Sequence, residues 1–377
     1  MHVLHVGKYY QPYRGGIETV VEQLCRGLAA RGVQVTALVS ADSRSTVEEW
    51  LHGVRVLRLG RTAEVNSQPL NIALVRTLRD LRFDLLHFHT PNPVGALAVL
   101  AARRSEPLVV SHHSDIVRQR ILGRPATAVQ SALYRRAAAL IAATPKHIEH
   151  SPVLQRLANK CSVIHYPIDA APYVSAPMVW DDQLPSEWQT APLVLFVGRL
   201  VYYKGVDVLL EALPRVPGAR LAVVGIGPLQ EQLVAQAKAL GLSERVRFLG
   251  AVSGERLRSL YKNARFLVLP SVAPSEAFGM VQLEAMAAGR PVISTDLKSG
   301  VPYVNQHGVT GLVVPPSDSQ SLAAAMRQLM EDPEYAECLG QAAKARVAAE
   351  FQIDRVVESH VQLYTATLLR SSLRSES

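Results

Sequence analysis

Cysteine is scarce in this chain of 377 residues. Cys25, Cys161 and Cys338 stand far apart and form no Cys-x-x-Cys pattern. A disulfide scaffold and a zinc knuckle are thereby excluded, and reduced thiols in a cytoplasmic protein are the expectation. Long apolar runs are missing too: no stretch approaches the roughly 18–20 consecutive apolar residues that span a bilayer. The opening Met-His-Val-Leu-His-Val lacks a basic leader, a long apolar core and a small-residue cleavage site, so a strand is expected there rather than a signal peptide. No Asp-x-Asp run follows an apolar strand in the way metal-dependent sugar-nucleotide sites arrange it, so no divalent cation is expected. Gly225-Ile-Gly227 is followed by Pro228 and Leu229, which leaves the dinucleotide fingerprint without its third glycine. The chain also has no internal repeat.

What is present is a soluble-enzyme composition, 48% hydrophobic with 19% charged residues, in a chain too long for one ordinary core. The net charge of +8 is unevenly spread: residues 1–168 carry 21 Lys and Arg against 11 Asp and Glu, whereas residues 169–377 carry 19 against 21. Part of the basic excess clusters at Arg118, Arg120, Arg124, Arg135 and Arg136, interleaved with Ile116, Val117, Ile121, Leu122, Leu133, Tyr134 and Leu140. Such a stretch suits an anionic membrane surface, an acidic substrate, nucleic acid or simply a solvated helix face. No stacking-aromatic run accompanies it, which argues against nucleic acid as a partner.

Both halves open alike. Val3–Gly7 reads as a buried strand, followed by a loop holding Gly15 and Gly16, a helical pattern over 17–30 and a strand over 33–39. Leu193–Gly198 is another strand, with a loop to Gly205, a helix over 206–213 and a strand over 219–225. Strand, glycine loop, helix, strand is the βαβ unit and demands a parallel sheet. Continuous apolar strands at 85–88, 108–110 and 266–269 fit sheets covered on both faces. The segment 169–189 is proline-rich and aperiodic and reads as a linker between domains at 1–168 and 190–353, with an amphipathic helix expected from about 354 and a polar tail.

Ligands of open parallel sheets bind beyond the carboxyl ends of the strands, and the candidate residues gather there. Glu276 and Glu284 flank an apolar stretch with one glycine, in which a helix is expected from about Gly279. The backbone N–H groups of Gly279, Met280 and Val281 would then face an anion at the positive end of the helix dipole. Gly198-Arg199-Leu-Val-Tyr-Tyr-Lys204-Gly205 joins a strand to a helix, and its rigid guanidinium and mobile ammonium match the oxygens of a diphosphate. Gly15 and Gly16 allow backbone to approach a ligand closely. His112-His113-Ser-Asp115 ends another strand without the further ligands a metal site needs, so a ligand-facing histidine is expected. His87 and His89 point to one face of their strand and read as core or loop support. One carboxylate above an anion site and another beside it suit a ligand with many hydroxyls and a phosphate, such as a nucleotide sugar.

The run Glu276-Ala-Phe-Gly-Met-Val-Gln-Leu-Glu284-Ala-Met-Ala-Ala-Gly-Arg-Pro-Val-Ile-Ser, together with Gly198-Arg199…Lys204-Gly205 and Gly15-Gly16, resembles the retaining, family-4-type glycosyltransferases of the GT-B fold, in matching order through nearly the whole chain. His113-Ser-Asp-Ile-Val-Arg and Thr295-Asp-Leu-Lys-Ser-Gly-Val-Pro-Tyr-Val-Asn look like the bacterial members that build lipopolysaccharide O-antigen or exopolysaccharide, several with mannose-type donors. The resemblance implies two Rossmann-like, doubly wound α/β domains facing a central cleft, the first binding acceptor and the second the nucleotide-sugar donor. A terminal helix, 354–377, would rejoin the first domain. It implies that Arg199 and Lys204 hold the donor diphosphate, that Gly15, Gly16, Gly279, Met280 and Val281 meet its phosphates, and that Glu284 binds the ribose. Glu276 and His113 would contact the transferred sugar. The acceptor would be a saccharide or lipid-linked saccharide, the cofactor requirement none, and the location cytoplasmic, with peripheral contact at the inner face of the membrane through the basic first domain as a further expectation. A nucleotide-sugar epimerase on the same fold and a nucleic-acid-binding protein are the competing expectations.

Overall fold

The computed structural model describes residues 1–13, 15–65, 68–114 and 123–375. The chain divides into two compact units, Met1–Pro167 with Ile353–Ser377, and Ile168–Gln352.

The first unit is built on an eight-stranded sheet. Its strands are β1 (His2–Val6), β2 (Gln34–Ser40), β3 (Val47–Leu51), β4 (Val54–Leu59), β7 (Leu85–Thr90), β8 (Leu108–His112), β9 (Ala139–Ala142) and β10 (Cys161–Val163). A separate two-stranded antiparallel pair is formed by β5 (Ala63–Val65) and β6 (Gln68–Leu70). The sheet order is β10-β9-β8-β7-β1-β2-β4-β3, parallel except where β3 meets β4. From β1 the chain winds outward through β2 and β4, then returns to β7 and winds the other way. The order therefore reverses between β1 and β7, whose register pairs His5 with His87 and Val6 with Phe88. Alternate side chains feed two cores: Leu4, Leu86 and Phe88 pack on one face, Val3, Leu85 and Val109 on the other.

Helix Gly16–Ala30 buries Val20, Val21, Leu24, Cys25 and Leu28, a stripe at helical spacing. Each such side chain contributes on the order of 1.5–3 kcal/mol when fully buried. The terminal helix Ile353–Ser375 lies against it and buries Val356, Val357 and Tyr364. Their approach is close at Gly27, where a Cβ would stand 2.5 Å from Val357 Cγ2. Arg31 Nη2 donates to the Asp354 carbonyl at 2.9 Å nearby.

The second unit holds a six-stranded, wholly parallel sheet of β11 (Leu193–Val197), β12 (Arg220–Val224), β13 (Val246–Gly250), β14 (Phe266–Leu269), β15 (Val292–Thr295) and β16 (Gly311–Val314). Its order is β13-β12-β11-β14-β15-β16, with the reversal between β11 and β14. The two doubly wound α/β sheets match the fold class expected from the sequence.

Residues 169–189, expected as a linker, belong instead to the second unit. Asp181 forms a two-pronged pair with Arg256, at 2.6 and 2.8 Å. Ser259 Oγ donates to the Pro177 carbonyl at 3.0 Å, Asn263 Nδ2 to that of Val179 at 2.8 Å, and Trp188 is buried. Three side chains of helix Gly254–Asn263 thus strap the segment down, and neither proline content nor periodicity reports such contacts. No helix among the described residues is long and apolar enough to cross a membrane.

Candidate active site

The densest constellation lies at the carboxyl ends of β11 and β14, at the reversal point where open parallel sheets bind ligands. The loop after β11 is drawn against the residues after β14 at Gly205. Its φ is +66°, and a Cβ there would sit 2.0 Å from the Pro270 carbonyl oxygen, so only glycine permits the approach. Val272 N–H donates to the Tyr203 carbonyl at 2.8 Å and ties the two loops together. Lys204 and Glu276, 72 positions apart in sequence, consequently form an ion pair between Nζ and Oε2. Both are buried, at 9% and 7% exposure. Ser271 Oγ donates to the same carboxylate oxygen at 3.1 Å. One of the three ammonium hydrogens satisfies Glu276, which leaves two for other acceptors.

Arg199 stands exposed on the same loop, and its guanidinium has no partner among the described residues. Helix Met280–Ala287 begins four residues beyond Glu276, with buried Gly279 as its N-cap at φ +74°. The N–H groups of Met280 and Val281 lie in its first turn, where no backbone acceptor exists within the helix. Glu284 is the fifth residue of that helix and half-buried. Tyr261 Oη donates to its Oε2 at 2.7 Å, and Tyr173 also hydrogen-bonds to it. Burial raises the Glu284 carboxyl above its ordinary range, and the two phenols act in the opposite sense. Arg199, Lys204, Glu276, Gly279, Met280, Val281 and Glu284 are thus brought to one end of one sheet. Ser271, Tyr173 and Tyr261 are additions that sequence reading missed. Ser271 opens the Glu276 run and could have been suspected; the tyrosines carry no local signal.

In the first unit, Gly15 caps helix Gly16–Ala30 at the carboxyl end of β1. Gly16 is exposed, and a Cβ on it would meet nothing within 4 Å. Packing therefore does not require glycine at Gly16, and a backbone there is open to close approach. His113 follows β8 at the same sheet end but is only 2% exposed. Its Nδ1 bonds Tyr166 Oη at 2.7 Å and its Nε2 bonds His89 Nδ1 at 3.0 Å. His112 is likewise buried, with Nδ1 2.7 Å from Tyr134 Oη. His87 bonds Tyr364 Oη at 2.6 Å and Ser111 Oγ at 2.7 Å, the supporting role expected of it. His5, His87 and His89 bring ring nitrogens within 4.8 Å of one another. Every nitrogen of the three already has a protein partner except His5 Nε2.

Of the basic cluster, Arg118 and Arg120 lie outside the described residues, as do Asp115, Ile116, Val117, Ile121 and Leu122 and the side chain of Arg124. Arg135 is exposed, whereas Leu133 and Tyr134 are core residues. Arg136 lines a cavity of about 310 Å³ with Arg104, Glu106, Thr367 and Arg370.

Comparison with known proteins fits this geometry. Residues 14–171 match the family model for Glycosyltransferase Family 4, and residues 181–346 that for Glycosyl transferases group 1. The O-antigen chain mannosyltransferase C of Escherichia coli is 33% identical over 98% of this chain and 100% of its own length. The D-rhamnosyltransferase WbpZ of Pseudomonas aeruginosa is 36% identical over 92% of this chain and 91% of its own. Among solved structures, the sucrose-phosphate synthase of Thermosynechococcus elongatus superposes with a TM-score of 0.82 at 24% identity, covering all of both chains. HepE of Anabaena, crystallised with UDP and glucose, gives 0.77 at 23% identity over 97% of this chain and 100% of that one. The chain belongs to the group 1, family-4-type glycosyltransferases, and its two units have the GT-B fold.

Proposed function

We propose that this glycosyltransferase moves a sugar of mannose type from a nucleoside-diphosphate donor to a saccharide or lipid-linked saccharide, with retention of anomeric configuration, in the assembly of O-antigen or a related surface polysaccharide. The observation that carries the reading is the buried Lys204–Glu276 pair beside an exposed Arg199 and a helix N-terminus. Two cations and a row of backbone donors form a fixed positive site, suited to a departing diphosphate. The two relatives named above act, by their names, on mannose and D-rhamnose, which share the manno configuration.

Transfer breaks the bond from the anomeric carbon to the diphosphate oxygen and forms one from that carbon to the acceptor oxygen on the same face. The acceptor proton passes to the departing phosphate. Arg199, Lys204 and the Met280 and Val281 N–H groups stabilise the charge that develops on the diphosphate. Gly15 and Gly16 let the backbone of the first unit approach it. Glu276 orients Lys204 and accepts from sugar hydroxyls, Glu284 accepts from the ribose, and His113 meets the sugar by exchanging its bond to Tyr166 for one to a hydroxyl. No divalent cation is needed in this scheme, because the guanidinium and ammonium groups supply the positive charge. The exposed arginines 135 and 370, with the arginine-lined cavity between Arg104 and Arg136, would place the first unit against anionic lipid at the inner face of the cytoplasmic membrane.

The test uses purified enzyme with a panel of nucleotide sugars, with and without acceptor. NMR coupling constants at the anomeric centre of the product report retention, and turnover without acceptor would indicate epimerisation. Lys204→Ala is expected to lower kcat/KM by about 10²–10³-fold with an unchanged circular dichroism spectrum. Undiminished turnover in that variant would remove the assignment.

A further inference from the structure

Three imidazoles and a phenol form an unbroken hydrogen-bonded row inside the first unit. Tyr166 Oη meets His113 Nδ1 at 2.7 Å, His113 Nε2 meets His89 Nδ1 at 3.0 Å, and His89 Nε2 meets His5 Nδ1 at 3.1 Å. Successive imidazoles lie almost parallel, tilted by 16° and 20°, with centroids 5.3 and 5.4 Å apart. The row ends at His5 Nε2, which is buried and without a partner.

All three histidines are removed from water. Burial pushes His5 down to about 3 and holds His89 and His113 well below the ordinary histidine range. At neutral pH each ring is therefore uncharged and carries one N–H and one lone pair. A row of such rings has two self-consistent states. In the first, protons point from Tyr166 towards His5, and the last ring keeps a buried N–H with no acceptor. In the second, protons point from His5 towards Tyr166, and the last ring keeps only an unused lone pair. A buried orphan donor is the rarer and costlier defect, so the second state is favoured.

We propose that His5 and His89 are positioning residues for His113: the row holds His113 as the Nδ1–H tautomer, with its proton presented at the Tyr166 end, and so sets the hydrogen bond it offers to the sugar. The inference rests on the role given to His113 above. An ion shared by His5, His87 and His89 is the rival use of these rings, but it would have to displace hydrogen bonds already made by His87 and His89.

Long-range proton–nitrogen correlation spectra of the full chain, labelled with nitrogen-15 in histidine, read the tautomers directly. His113 and His89 are expected as Nδ1–H. His5→Asp places a carboxylate acceptor near the imidazole Nδ1 position, where the row now starts with a donor, and should convert both rings towards Nε2–H, with kcat/KM for the donor falling about tenfold or more. His5→Asn, whose amide nitrogen can take the Nδ1 position, should keep both readouts as in the native chain, and His5→Leu should keep the tautomers, because it leaves His89 Nε2 only an unused lone pair. An Nε2–H form of His113 in the wild-type chain overturns the proposal, as does an unchanged His113 signal in folded His5→Asp. Unaltered turnover in a His5→Asp chain whose tautomer has switched overturns the positioning role, and so does stoichiometric metal by elemental analysis that is lost in His5→Leu. Should His5→Asp fail to fold, the wild-type spectrum decides alone. Failure of the transferase reading would show in Lys204→Ala and leave the tautomers as described.

Discussion

Lys204 has a carboxylate partner before any substrate arrives, and this shapes what Glu276 does. A buried ammonium without a counter-charge is costly, and the pair with Glu276 supplies that counter-charge. In the proposed function Glu276 would then compete with the donor diphosphate for the ammonium. Replacing Glu276 by Gln keeps the shape and removes the competitor. Glu276→Gln is therefore expected to bind nucleoside diphosphate at least as tightly as the native chain by calorimetry, while transfer falls by about tenfold or more. Weaker nucleotide binding together with full turnover would contradict the pairing. These residues were legible in sequence because they sit in two short runs, each following an apolar strand and preceding a helix. The partners of His113 were not. His5, His89 and Tyr166 lie 24 to 84 positions away along successive links of the row, and only the register of β1, β7 and β8 gathers them. The paired histidines His87 and His89 hinted at a polar face on β7, but nothing local joins them to His5.

At the level of elements, the two reversal points decide where chemistry can occur. Between β11 and β14 the strand order reverses, and the loops after these strands carry Arg199 exposed and Lys204 and Glu276 buried as a pair. Glycine at Gly205 then lets one loop close on the other. The strap of residues 169–189 works differently: its energy comes from a few anchors, Trp188 above all, and from the Asp181–Arg256 pair. Trp188 is 1% exposed, with the Arg247 guanidinium 5.4 Å from the ring centroid. Trp188→Ala should cost about 3–5 kcal/mol of unfolding free energy, read by denaturant titration. A loss within the error of the method would return the segment to the status of a linker. Proline content and absent periodicity pointed to irregular backbone, which is correct locally. Whether irregular backbone hangs free or packs depends on contacts that composition does not report.

For the whole molecule, histidine is concentrated in the first unit, and much of it is buried and uncharged. Burial lowers His5 and His147 to about 3 and His112 and His360 to about 4, from an ordinary 6.5. Between those values and 6.5 the unfolded chain binds more protons than the folded one, so stability rises with pH across this window. The contribution is complete above about pH 6.5 and is lost progressively as pH falls towards 3–4. Thermal melting is expected to drop by roughly 10 °C or more between pH 7.5 and 4.5. Equal melting temperatures at the two pH values would show that these imidazoles are protonated in the folded state.

The amino-acid order by itself determined that there would be two parallel-sheet α/β units, because strand, glycine loop and helix follow one another within a dozen residues and hydrophobic periodicity is a local property. It likewise determined which residues would stand at the carboxyl ends of β11 and β14. Tertiary structure alone decided that Lys204 would be held by Glu276, that Glu284 would be held by two tyrosines, and that His113 would close a row of buried rings. Each of these depends on side chains from distant strands meeting at fixed distances, and strand order and register set those distances.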